Sequence, residues 1–117
     1  MFQRILLTAV LMAAIDLPYL SLIASNSFRP MIQAIQGSAL TFRYAAAIPV
    51  YLALSYLLNL ASTWQSAAAI GAATYAVYDF TNYASLKNYT LAFALQDTAW
   101  GSILFALTWL ARNKIGF

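Results

Sequence analysis

The acidic side chains of this sequence are three aspartates, Asp16, Asp79 and Asp97, and each falls within a long apolar run. A charged Asp near the centre of a membrane helix costs about 2.5–3.5 kcal/mol on insertion scales. Three such charges are too costly to be incidental, so we expect these carboxyl groups to hold protons, to pair or to bind a cation. The chemistry they predict is the binding or passage of a proton, a cation or a small solute within a membrane.

Polar and aromatic side chains share the helical faces of these aspartates. Residues three or four apart on a helix are neighbours, so Tyr75 and Asn82 lie on the face of Asp79, and Trp100 lies on the face of Asp97. Arg43 has a long side chain that could reach inward and pair with one acid. The candidate proton- or ion-binding residues are therefore Asp16, Asp79, Asp97 and Asn82, supported by Tyr75, Trp100 and Arg43.

Two prolines stand in the same apolar runs. Pro18 and Pro49 have no backbone N–H to donate, and each frees a carbonyl four residues earlier, at Ala14 and Ala45. Free carbonyls near carboxylates could act as oxygen ligands for a cation or as acceptors for water. A purely structural role stays open as well, because buried polar groups in membrane bundles often only bond helices together, at about 0.6 kcal/mol per interaction.

The composition predicts an integral membrane protein. The chain has 117 residues, 63% of them hydrophobic and 8% charged, whereas soluble domains average about 45–50% apolar and about 25% charged residues. It contains no His and no Cys, so the usual zinc, thiol, haem and iron–sulfur chemistry is excluded. We expect no cofactor and do not favour an enzyme. A net charge of +3 from scattered bases is too small for a nucleic-acid surface.

The apolar runs predict an all-α fold, a single domain over residues 1–117 with four transmembrane helices in an antiparallel bundle. A bilayer needs about 20 apolar residues per helix, and the spans cover about 5–24, 44–61, 66–86 and 91–111. With a rise of about 1.5 Å per residue, the three acids fall in one layer of the bilayer. Residues 25–43 form either a short interfacial helix or an ordinary polar loop. Ala68, Ala72 and Ala76 form a stripe of small residues suited to close helix packing.

Three pieces of the sequence carry a resemblance to a known family. They are Ala-Ile-Asp-Leu at 14–17, the run from Tyr75 to Lys87, and Asp-Thr-Ala-Trp-Gly at 97–101. Over nearly its whole length the chain is similar to small predicted four-span membrane proteins called domain of unknown function 2177. The resemblance implies joint importance for the Tyr-Asp-x-Thr-Asn residues, which adds Tyr78 to the binding set and Thr81 to its support. It implies no activity.

A second resemblance concerns the aspartates alone. Tyr78-Asp79 and Asp97 look like the paired aspartates of intramembrane aspartyl proteases, in which two carboxyl groups share a proton. However, Ala94, Leu95 and Gln96 stand where that family has Gly-x-Gly.

The leading functional hypothesis is a small channel or transporter that works as a homo-oligomer or in a larger membrane complex. The alternative is a non-transporting accessory or assembly subunit of such a complex, and an enzyme acting on lipid ranks third. We expect the protein in the plasma or inner membrane of the cell with both termini on one side. The basic residues are balanced, three on each side of the membrane, so the cytoplasmic side is only weakly favoured for the termini.

Overall fold

The computed structural model describes residues 1–116 and folds them into four helical rods. The first rod runs without a break through α1, a π-helix and α2, and the second begins with a 3-10 turn before α3. The all-helical bundle predicted from the sequence is confirmed. The elements are α1 (Phe2–Pro18), the π-helix (Tyr19–Ala24), α2 (Ser25–Gln36), the 3-10 turn (Tyr44–Ala46), α3 (Ala47–Asn59), α4 (Trp64–Ser85) and α5 (Leu91–Ile115).

The first rod continues well beyond the predicted end of the first span. Residues 2–36 are helical throughout, so α2 extends α1 instead of forming a separate interfacial helix or a loop. Pro18 has no N–H for an ordinary helical bond, and the chain after it widens into the π-helix, where the Ser25 N–H donates to the Leu20 carbonyl. The rod ends at Gly37, whose φ of +77° is accessible to glycine without strain.

The amphipathic α2 folds over the short connection between α4 and α5. Met31 is buried there, and its sulfur accepts a hydrogen bond from the Thr90 backbone N–H. The Asn88 side-chain amide donates to the Ala34 carbonyl at 3.1 Å. These contacts explain why a segment of mixed polarity is helical, since its apolar face covers the loop end of the bundle.

Two helical stretches are long and apolar enough to cross a membrane. They are Phe2–Gln36 and Leu91–Ile115, while Tyr44–Asn59 is apolar but shorter. Helix α4 has 22 residues, about 33 Å of helix, but carries polar side chains along its length. The division into four spans and one domain therefore stays a prediction.

The apolar core consists of two clusters along the bundle. One lies toward the chain termini, and the other lies toward the α4–α5 loop. Along the chain, each aspartate stands between a residue of the first cluster and a residue of the second, so the carboxyl groups lie where the clusters meet. The first cluster contains Met12, Leu54, Leu58, Ala61, Ala67, Leu104 and Phe105, and the second contains Tyr19, Ala24, Met31, Tyr89, Phe93 and Ala94.

A capping box starts α4. The Ser66 backbone N–H donates to the Thr63 hydroxyl oxygen, and the Thr63 N–H donates to the Ser66 hydroxyl, both at 3.1 Å. We expect Thr63→Ala to lower the free energy of unfolding by about 1 kcal/mol, because it leaves a first-turn N–H without an acceptor. Thermal unfolding of the purified protein in detergent checks this. Ser62→Ala, at an exposed neighbour outside the box, is the control, and equal melting temperatures for the two variants would contradict the prediction.

Candidate functional site

The centre of the site is the pair Asp79 and Asp97, which belong to the adjacent helices α4 and α5. The two carboxyl groups are close enough to interact across the helix pair. Asp79 is fully buried, its Oδ1 accepts from the Tyr89 hydroxyl at 2.7 Å, and its Oδ2 has no hydrogen-bond partner among residues 1–116. Two carboxylates repel each other strongly in a buried site. A bond between them therefore requires a proton on one of the two groups.

Tyr89 closes this pair from the α4–α5 loop. Asn88 adopts a left-handed conformation with φ of +72°, which turns the chain so that the next side chain points back to α4. Burial raises the pKa of the Tyr89 phenol, and the neighbouring Asp79 raises it further. The phenol therefore stays protonated and acts as the donor of the hydrogen bond to Asp79.

Asp97 is tied to the π-helix. Its Oδ1 accepts a hydrogen bond from the Tyr19 hydroxyl at 3.1 Å, and the Gln96 side-chain amide donates to the same hydroxyl oxygen at 3.4 Å. Tyr19 is buried and begins the π-helix that follows Pro18. The widened turn of the first rod therefore supplies a donor to the acid of α5.

Asp16 is the third acid, and it joins three helices. The Tyr51 hydroxyl of α3 donates to its Oδ2 at 2.5 Å, and the Trp100 indole N–H of α5 donates to its Oδ1 at 2.7 Å. Asp16 itself is almost completely buried in α1. Both of its oxygens therefore accept a hydrogen bond within the chain, whereas in Asp79 only Oδ1 does so.

An aromatic stack links Asp16 to the carboxyl pair. The Tyr19 and Trp100 rings are nearly parallel, with centroids 4.6 Å apart; one ring donates to Asp97 and the other to Asp16. Within the described residues, no set of three acids is placed so that it could hold a metal ion. The site is thus a carboxyl pair and a single carboxyl group joined by two stacked rings.

A family model described as predicted membrane protein (DUF2177) matches residues 1–112 of the chain. The chain belongs to this family. The resemblance predicted from the three sequence pieces is confirmed, and the chain is a membrane protein. The comparisons with curated proteins and with solved structures gave no match.

The residues of the predicted site in this DUF2177 protein divide into two groups. The three acids, Tyr75 and Trp100 lie inside the bundle, and Asn82 is half-buried near Tyr89. Tyr78 is 58% exposed and Thr81 is also exposed, although Tyr78 still lies near Asn82 and within electrostatic range of Asp79. They flank Asp79 and Asn82 in sequence, but adjacent residues on a helix point in different directions.

Two further expectations about this site are wrong. Arg43 does not pair with an aspartate: it is exposed just before the 3-10 turn, and the hydrogen bonds to the acids come from Tyr and Trp. The prolines do not present free carbonyls to the acids. Ala14 lies on the exposed face of α1, and the Ala45 carbonyl accepts from the Ala47 N–H. Pro49 stands in the first turn of α3, where a missing N–H costs no helical bond.

The sequence did not identify Tyr51 and Tyr89 as donors to the acids. Tyr51 lies 35 positions from Asp16 and Tyr89 lies 10 positions from Asp79, and both separations lie outside the three- and four-residue neighbourhood of a helix. A sequence signal for these donors is chemical: a buried carboxyl group needs hydrogen-bond donors, and the chain has eight tyrosines that could supply them.

Proposed function

We propose that this membrane protein binds a proton or a monovalent cation at the Asp79–Asp97 pair and passes it through the membrane, as a small channel or transporter. The observation that carries the proposal is the Asp79 Oδ2 atom, which is buried without a hydrogen-bond partner in a carboxyl group that neighbours Asp97. Buried polar atoms are nearly always partnered. A proton or a small cation between the two acids would supply that partner.

The surrounding groups favour a proton over a metal ion. A hard cation needs several oxygen ligands, while the hydroxyls of Tyr19 and Tyr89 already direct their hydrogens at the carboxyl pair. A single proton needs only one oxygen of each acid. Intramembrane carboxyl groups that carry protons are a recurrent feature of proton relays in pumps and transporters. Asp16 assists by holding Trp100, and with it the stacked Tyr19 ring, against Asp97.

The alternative proposal is a non-transporting accessory subunit. Such a subunit could use its acids as intramembrane contacts to another chain, but Asp16 and Asp79 are buried inside a single chain and bond to its own aromatic residues. An accessory role would have to use the apolar outer faces of the helices instead. The buried pair therefore supports the transport proposal better than this alternative.

Proton flux into liposomes tests the proposal. We expect wild-type protein to acidify vesicles under an imposed pH gradient faster than empty vesicles do. Asp79→Asn and Asp97→Asn should both fall to the level of empty vesicles, because an amide retains an acceptor for the tyrosine but cannot exchange a proton. Tyr83→Phe, at an exposed tyrosine of the same helix α4, is the matched control and should keep the wild-type rate. Equal fluxes in wild type and the two Asn variants would contradict the proposal.

A further inference from the structure

A second buried charge lies at the opposite end of the bundle from the α4–α5 loop. Arg112, in the last turn of α5, is only 3% exposed. Its guanidinium donates to the side-chain carbonyl oxygens of Asn59 and of Asn113, the latter at 3.2 Å. Its Nε has no acceptor among residues 1–116. The hydrogen-bond partners of this buried cation are thus neutral amides, and the Trp109 ring centroid lies 5.9 Å from its guanidinium carbon.

No acidic side chain of the chain is available to balance Arg112. The three aspartates are the only acids in the sequence, and all of them bond within the layer described above. Arg4 lies close enough to Arg112 for the two charges to repel, and Lys114 stands in the same last turn of α5. A buried charge without an opposite charge is costly. Within the described residues this concentration of bases has no carboxylate beside it, and a bound anion would balance the charge.

Two clefts open at this end of the bundle; Arg4 borders both, and Arg112 itself lines neither. The larger, about 780 Å³, is lined by Arg4, Gln3 and Asn113, and the smaller, about 240 Å³, is lined by Arg4 and Asn59. The two amides that hold Arg112 therefore each border one cleft. The larger cleft also adjoins the first turn of α1, where backbone N–H groups without helical partners favour a negative charge.

We propose that this end of the molecule binds a phosphate-bearing anion, held by Arg4 and the Asn113 amide with the Arg112 charge behind them. The volume of the larger cleft accommodates a phosphate group, and guanidinium groups match the geometry of phosphate oxygens. The phosphate could belong to an anionic phospholipid headgroup or be free in solution. This site is independent of the proposed transport through the carboxyl pair.

Native mass spectrometry of the detergent-purified protein tests the proposal with two probes, phosphatidylglycerol and inorganic phosphate. We expect the wild type to retain one of them and Arg4→Gln to bind it roughly tenfold more weakly, because a charge-assisted bond is lost. Arg4 is exposed, so its replacement should leave the fold intact. Arg43→Gln, an exposed arginine outside these clefts, is the matched control and should bind as wild type does.

The two probes separate the sources of the phosphate. Retention of phosphatidylglycerol without any effect of inorganic phosphate identifies a lipid headgroup site, whereas displacement of the lipid by millimolar phosphate identifies a site for the free ion. Equal binding by Arg4→Gln and Arg43→Gln, or no binding of either probe by the wild type, would overturn the proposal. Neither result depends on proton flux, so the transport proposal stands or falls separately.

Discussion

Adding a single methyl group at Gly71 or Gly101 is expected to destabilise the bundle severely. A Cβ at Gly71 would overlap the Gly101 carbonyl oxygen and come within 2.7 Å of the Phe105 Cβ, and a Cβ at Gly101 would overlap the Tyr75 ring. The obstacles are backbone atoms and the bases of side chains, which cannot swing away. The helices α4 and α5 would have to separate. We therefore expect Gly71→Ala and Gly101→Ala each to lower the free energy of unfolding by about 1–3 kcal/mol or more.

The measurement is the yield of monodisperse protein together with its thermal unfolding in detergent. Ala73→Leu on α4 and Ala99→Leu on α5 are the controls, since both positions are exposed. These larger replacements should leave the melting temperature close to that of wild type. If Gly71→Ala and Gly101→Ala melted with the controls, then the close approach of the two helices would not be a source of stability.

The close packing of α4 was partly visible in the sequence. Its small residues predicted tight contact, but the predicted stripe at Ala68, Ala72 and Ala76 is only half-buried, while Ala67 and Gly71 are buried. The difference is a rotation of the helix by about one residue. Alanines lie on several faces of α4, so the sequence alone does not distinguish one face from the next. The bulky partners Tyr75 and Phe105 select the face, and their positions depend on the tertiary fold.

For the acids too, the sequence predicts properties that depend on neighbouring residues and misses contacts between residues far apart in the chain. Helical runs and the rise per residue are local properties, and from them the sequence placed the three aspartates deep in the bundle at one level. The donors were not predictable in this way, because Tyr19 reaches Asp97 across 78 positions and Trp100 reaches Asp16 across 84. Likewise, the continuity of α1 and α2 depends on the π-helix after Pro18 and on the loop that α2 covers.

Asp16→Ala is expected to produce the second large loss of stability. Asp16 is the acceptor for two buried donors, the Tyr51 hydroxyl and the Trp100 indole N–H. Removing it leaves both donors without an acceptor, at a cost of about 1–3 kcal/mol for each. Asp16→Asn should lose less, because its amide oxygen still accepts one of the two bonds. Thermal unfolding of the three proteins in detergent gives the order, with wild type highest and Asp16→Ala lowest.

A double-mutant cycle shows whether this loss arises from the two bonds themselves. We expect Tyr51→Phe to destabilise the wild type but to have almost no effect in the Asp16→Ala background, where its hydroxyl no longer has an acceptor. Tyr56→Phe, on the same helix at a half-exposed position, should be neutral in both backgrounds. Additive effects of Asp16→Ala and Tyr51→Phe would contradict a shared hydrogen bond.

Proton flux in the Asp16→Asn and Asp79→Asn variants distinguishes residues that position the site from residues that bind the proton. If Asp16 acts by holding Trp100 and the stacked Tyr19 ring, then Asp16→Asn should retain part of the proton flux in proportion to the stability it retains. Asp79→Asn should abolish flux even when its melting temperature is preserved, because it removes a proton-binding group and leaves the surrounding aromatic residues in place. Complete loss of flux in a fully stable Asp16→Asn protein would instead place Asp16 on the proton path, beside the Asp79–Asp97 pair.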